Sequence, residues 1–266
     1  VLRMSQPSRP VLLALCAVPV AGLLAAAALA PLPFSVAKPG MTADVLGENG
    51  GKPVITLSGD GVKARKTSGE LRMTTIVATG PDATVRLGDV VGGWFATDEA
   101  VMPKDSVYPV GDTSQEIRDY NADQMKQSQD DATEAARAFL GKSADDLDAK
   151  LRLAEVGGPS AGLMFTLGII DKYEGNGAGG DLTGGRKIAG TGTIDEEGKV
   201  GAVGGVPLKT QAAKRDGASV FLVPAAECGD AKSELPEGLR LIPVKTLSGA
   251  VGELKALESG GKVSSC

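Results

Sequence analysis

The chain predicts an α+β domain, on three observations. Short apolar runs bounded by Gly, Pro and Asp recur along it and read as strands. Longer segments carry helical periodicity, the clearest of them over residues 113–140 and 163–173. The two kinds of segment do not alternate as a strict βαβ series, so a doubly wound parallel sheet is not expected. The 266 residues suffice for one ordinary core or two small ones, and we read one domain over residues 52–258.

Residues 1–10 hold Arg3 and Arg9, and residues 11–30 hold no charge. Twenty uncharged residues are long enough to cross a bilayer as a helix, and the preceding arginines place the N-terminus in the cytoplasm. The expectation is a single-pass anchor in the cell membrane, with the domain outside the cytoplasm. The alternative is a cleaved signal, since Ala28, Leu29 and Ala30 satisfy the small-x-small rule. The length of the run and Pro31 immediately after it favour the anchor. Residues 31–51, broken by Pro and Gly, read as a connector.

Within residues 52–87, Val54 to Leu57 and then Leu71, Met73, Ile76 and Val77 make short strand-like runs. Trp94, the only tryptophan, is expected inside a small apolar patch. Thr113 and Glu116 fit a capping box opening a long helix, with Ile117, Tyr120, Met125, Ala132, Ala136 and Phe139 on its apolar face. Gly141 stops it. A short join over 141–150 leads to a strand ending near Val156. Residues 163–173 are apolar on nearly every side, which predicts a central, buried helix. Strands are expected over 219–224 and 239–244, an amphipathic helix over 246–257, and a polar tail over 259–266.

Several motif matches fail on context. The Ser35-x-x-Lys38 pair lacks its partner motifs, Gly141-Lys142-Ser143 follows a helix rather than a strand, and the glycines of 175–180 open no helix. No nucleotide or other cofactor is expected. A net charge of −5 disfavours a nucleic-acid partner.

One stretch carries chemistry. Ser160 lies in Gly158-Pro159-Ser160-Ala161-Gly162, at the entry to the buried helix. Small neighbours permit a sharp turn, and a helix start offers unpaired N–H groups for a developing oxyanion. The bland reading of such a serine is a helix cap. The sequence contains no histidine, so neither a Ser-His-Asp triad nor a Cys-His pair can be assembled. A base for Ser160 must come from elsewhere, and Lys209 is the best candidate. It follows Gly204-Gly205 and Pro207, and at 3.6 residues per turn Ala212 and Ala213 flank it on one helical face. Burial there would lower its pKa toward neutrality, as a lysine base requires. The bland alternative is a surface lysine with its stem laid along apolar neighbours.

These motifs together resemble the proteolytic domain of Lon proteases, which has a Gly-Pro-Ser-Ala-Gly motif and a lysine four residues after a Gly-Gly pair. The spacing between Ser160 and Lys209 is close to the family's, and Thr191-Gly192 falls where the family has a Thr-Gly pair. Residues 181–192 and 221–226 resemble the membrane-anchored, PDZ-containing Lon-like proteases of bacteria. The join over 141–150 is too short for their PDZ domain. The resemblance implies the α+β fold of the Lon proteolytic domain (ribosomal protein S5 domain 2-like), preceded by one transmembrane helix. It implies an ATP-independent serine endopeptidase, with protein or peptide substrates and a Ser-Lys dyad. Ser160 would be the nucleophile, Lys209 the general base and Thr191 the partner orienting the lysine, with Gly158 and Ala161 framing the serine. A catalytically silent scaffold of the same fold is the competing reading, and assembly into a homo-oligomer is left open.

Of three cysteines, Cys16 lies in the apolar N-terminal run. Outside the cytoplasm Cys228 and Cys266 would meet oxidising conditions, so a disulfide between them and a pair of free thiols are both open.

Overall fold

The structure is a computed structural model describing residues 9–110, 113–153 and 158–266, the side chains of Val11 and Leu12 excepted. Of the strand expected to end near Val156, residues 154–156 lie outside the described residues, and the strand that forms spans Asp148–Leu151, ending before Arg152 and Leu153.

Helix α1 (Arg9–Leu29) is followed by β1 (Phe34–Asp44), β2 (Glu48–Asn49), β3 (Lys52–Pro53), β4 (Ile55–Ser58) and β5 (Glu70–Ala78). Then come α2 (Leu87–Phe95), β6 (Ala100–Pro103), α3 (Lys104–Val107), the long α4 (Ser114–Leu140) and β7 (Asp148–Leu151). A 3-10 turn, Pro159–Ala161, leads into α5 (Gly162–Tyr173). The remainder is β8 (Lys187–Gly190), β9 (Thr193–Ile194), β10 (Val200–Gly201), α6 (Val206–Arg215), β11 (Val220–Pro224), α7 (Cys228–Ser233), β12 (Arg240–Val244) and α8 (Leu247–Glu258).

The main sheet has six strands in the order β12-β11-β8-β5-β1-β6. β5, β8, β11 and β12 run parallel, while β1 is antiparallel to both β5 and β6. Strand β11 shows why its sequence is apolar throughout: all five residues are buried. Successive side chains point to opposite faces. Val220 and Leu222 join the larger core with α5, whereas Phe221 and Val223 join a second cluster with Val206 and Ala213 of α6. The sheet is thus covered by helices on both faces, and α4 packs on the outer side of α5. The architecture is mixed α+β, as expected.

Local signals hold. Thr113 accepts from the Glu116 N–H at 3.2 Å, Glu116 returns the bond to the Thr113 N–H at 3.1 Å, and Gly141 closes α4 with φ 64°, in the left-handed region. Residues Gly162 to Asp171 of α5 are all buried.

Three expectations are corrected. The connector read over 31–51 supplies β1, an inner strand of the main sheet; Pro39 and Gly40 sit at a register shift between Pro39 and Thr42, where a ladder tolerates a missing donor. Trp94 is 81% exposed on α2 rather than buried. The transmembrane span expected over 11–30 gains no support, because among the described residues no helix is long and apolar enough to cross a membrane. The helix that forms there leaves Leu13, Leu15, Val18, Leu23 and Leu29 exposed.

Candidate active site

The serine turn is held from two sides. Gly158, with φ 92°, adopts a conformation that L side chains rarely reach, which lets the chain swing into the 3-10 turn. Its N–H donates to the Asn121 carbonyl at 3.3 Å, and the Ser128 hydroxyl donates to the Pro159 carbonyl at 3.0 Å. Both partners lie on α4. From the other side, the Gly192 N–H donates to the Ser160 carbonyl at 2.9 Å, and the Leu163 N–H donates to the Gly192 carbonyl at 3.1 Å. Ala161 is buried, whereas Ser160 is half-buried at the N-terminal end of the helical run. The positive end of the α5 dipole therefore lies beside the serine.

The lysine arrives from the opposite helix layer. Gly205, with φ 70°, turns the chain into α6, and Pro207 sits in the first helical turn, where no N–H is needed. One turn on, Lys209 is 3% exposed and Ala212 and Ala213 are fully buried. Burial pulls the lysine pKa down to about 8, against the weaker opposing pull of the Glu227 carboxylate.

Thr191, which leaves the end of β8, bridges the two layers. The Lys209 amine donates to the Thr191 hydroxyl at 3.1 Å, and that hydroxyl donates onward to the Ser160 carbonyl at 3.3 Å. The threonine proton is thereby committed to the carbonyl, leaving its lone pairs toward the amine. Ser160 and Lys209 line one cleft of about 470 Å³, walled also by Ile76, Tyr108, Val110 and Tyr120.

The structure thus brings Ser160, Thr191, Lys209, Gly158 and Ala161 into one place. Cys228 and Cys266 lie elsewhere, joined by a disulfide that ties the C-terminal tail to the start of α7. Sequence reasoning did not find Asn121, Ser128 or Tyr108. For Ser128 a signal existed: it is a serine inside the apolar stripe of α4, between Met125 and Ala132, and all three are buried. For Asn121 and Tyr108 no local pattern marks a role, since both meet the site only through tertiary packing. Among the described residues no cluster of His, Cys, Asp or Glu could hold a metal ion.

Residues 154–254 match the family model of the Lon protease (S16) C-terminal proteolytic domain. The mixed α+β architecture fits a Lon proteolytic domain. The chain is also similar to the archaeal Lon protease of Halobacterium salinarum, 27% identical over 147 residues, covering 51% of this chain and 20% of that protein. It is similar to the Lon protease of Chloroflexus aggregans, 38% identical over 93 residues, covering 34% of this chain and 10% of that one. The matches span about a fifth or less of the length of these curated relatives.

Proposed function

We propose that this chain is a serine endopeptidase in which Ser160 and Lys209 form a catalytic dyad. The observation that carries the reading is the shared cleft: a half-buried serine at a helix start faces the same space as a buried lysine whose amine is tethered by Thr191. In the neutral amine one N–H goes to Thr191, and the lone pair is left to take the Ser160 proton. The serine Oγ then attacks the scissile carbonyl carbon, and the N–H groups of the serine turn hold the oxyanion. The Lys209 ammonium returns its proton to the leaving amine, releasing one peptide and leaving an acyl ester on Ser160. Neutral again, Lys209 deprotonates a water that hydrolyses the ester. None of these steps requires a nucleotide at the bond being cleaved.

The substrate class is polypeptide, entering a cleft whose walls are largely apolar. The disulfide suits an oxidising compartment, and the bare apolar sides of α1 suit contact with lipid; we place the domain outside the cytoplasm, associated with a membrane through α1. The test is labelling by a serine-reactive fluorophosphonate, coupled to cleavage of an unfolded protein. Wild type should label at Ser160 and cleave. Absence of both in well-folded protein would leave the scaffold reading.

A further inference from the structure

We propose that α2 is a second lipid-contacting element, which seats Trp94 and Phe95 in the headgroup layer of a bilayer beside α1. The proposal rests on the membrane association of α1 given above. The two helices touch, and the chain fixes their proximity: the Leu32 N–H, shortly after α1, donates to the Val85 carbonyl at 2.8 Å, just before α2 begins.

Helix α2 is inverted relative to an ordinary surface helix. The residue it buries is small: Gly93 packs on the body, and Gly92 and the C-cap Ala96 rim an open cleft beside Val36 and Val85. At Gly93 a β-carbon would stand 2.9 Å from Val101, so the helix lies too close to the sheet for any larger residue. Its large apolar residues point outward instead. Leu87 and Val91 are exposed, Trp94 is 81% exposed and Phe95 is 88% exposed. An amphipathic helix in water buries such residues. The charged residue on α2, Asp89, spends its carboxylate on the Arg86 N–H at 2.8 Å. Arg86 at the N-cap offsets Asp89, so α2 carries no net positive charge to seek anionic lipid, and the fitting partner is a neutral bilayer surface. An amphipathic ring with a polar edge, such as Trp94, is suited to the boundary between headgroups and acyl chains.

The sequence holds one tryptophan, so its emission reports on this site alone. The full chain is reconstituted into phosphatidylcholine vesicles, floated to confirm association, and compared with vesicles whose lipids are brominated high on the acyl chain or near its end. The expected result is a blue-shifted emission, with strong loss for the high bromines and little for the deep ones. A reporter moved beyond the C-terminal end of α4, by Trp94→Phe with Ala144→Trp, should lose no emission: α4 is about 40 Å long, and it is its other end, at Ser114, that meets Asp82 near α2. Co-flotation with Trp94 unquenched would overturn the α2 assignment while leaving α1 as the membrane contact. Failure to float would overturn both. A blue shift that grows with protein concentration in lipid-free samples would assign the patch to a second copy of the chain instead. Equal quenching of the native reporter and the relocated one would show indiscriminate lipid contact and overturn the assignment as well.

Discussion

Two buried ionisable groups lie on helices that cover opposite faces of the main sheet, and they are held very differently. Lys209 projects from α6 against two alanines, donates to the Thr191 hydroxyl and faces a cleft. Asp171, on α5, is fully buried; its Oδ1 accepts from the Leu182 N–H at 2.8 Å, and its Oδ2 has no hydrogen-bond partner among the described residues. Burial acts on both in the direction that neutralises charge. It draws the lysine down to about 8 and lifts the aspartate to about 6, with the nearby Asp181 carboxylate adding to the lift. The Leu182 N–H, Arg65 and Lys172 oppose that rise. A perturbed pKa therefore does not by itself mark a site. Lys209 shares its cleft with Ser160, the proposed nucleophile, whereas Asp171 organises backbone: its side chain holds Leu182 and its carbonyl accepts from Arg65 at 3.2 Å.

The comparison breaks most sharply at the chemistry. Ser160→Ala and Lys209→Arg should each lower peptide hydrolysis at least about a thousandfold with the fold retained, because a guanidinium stays protonated and cannot serve as the base. In wild type the rate should rise as pH passes through about 8 and then level off, reporting the free amine. Asp171→Asn should leave that profile in place. Steady-state hydrolysis across pH decides the point, and a profile that shifts with Asp171 rather than Lys209 would reverse the assignment.

Stability should separate the two groups by sign. The folded lysine has a pKa below its unfolded value of 10.5, so the unfolded chain binds more protons between about pH 8 and 10.5 and stability rises with pH across that window. The full effect is about 3 kcal/mol at most. Lys209→Met should abolish this rise in denaturant titrations and stabilise the protein at neutral pH. Asp171 is the mirror case. Its folded pKa of about 6 lies above 3.8, so the folded chain binds more protons between those values and stability falls as pH rises through that window. The fall should be about 2–3 kcal/mol, and Asp171→Asn should remove it.

The smallest expected effect sharpens the role of Thr191. Thr191→Val keeps the shape but removes the acceptor of the lysine amine, while the Ser160 carbonyl retains the Gly192 N–H. Hydrolysis should fall roughly tenfold in kcat with KM little changed. The rise near pH 8 should move to lower pH, because the hydroxyl that favoured the ammonium is gone. A change in KM alone would make Thr191 part of the substrate surface.

What the sequence determined by itself is local. The capping box at Thr113 and Glu116, the stop at Gly141 and the Thr246 cap of α8 each involve partners within a turn of one another, so adjacent residues suffice to write them. The buried face of α6 follows from the helical repeat, which is why Lys209 was legible beside Ala212 and Ala213. The serine motif lay within one contiguous run. Only the tertiary structure decided the rest. Residues 31–51 look like a connector because Pro39 and Gly40 interrupt them; pairing with β5 and β6, remote in sequence, makes them β1. Trp94 carries no local sign of whether a partner covers it. Asn121 and Ser128 hold the serine turn through α4, and Thr191 joins two helix layers at the end of β8. The physical reason is common to all of these: a local pattern fixes dihedrals and caps, whereas long-range pairing chooses which remote surfaces meet, and the contacts that align Ser160 with Lys209 are long-range ones.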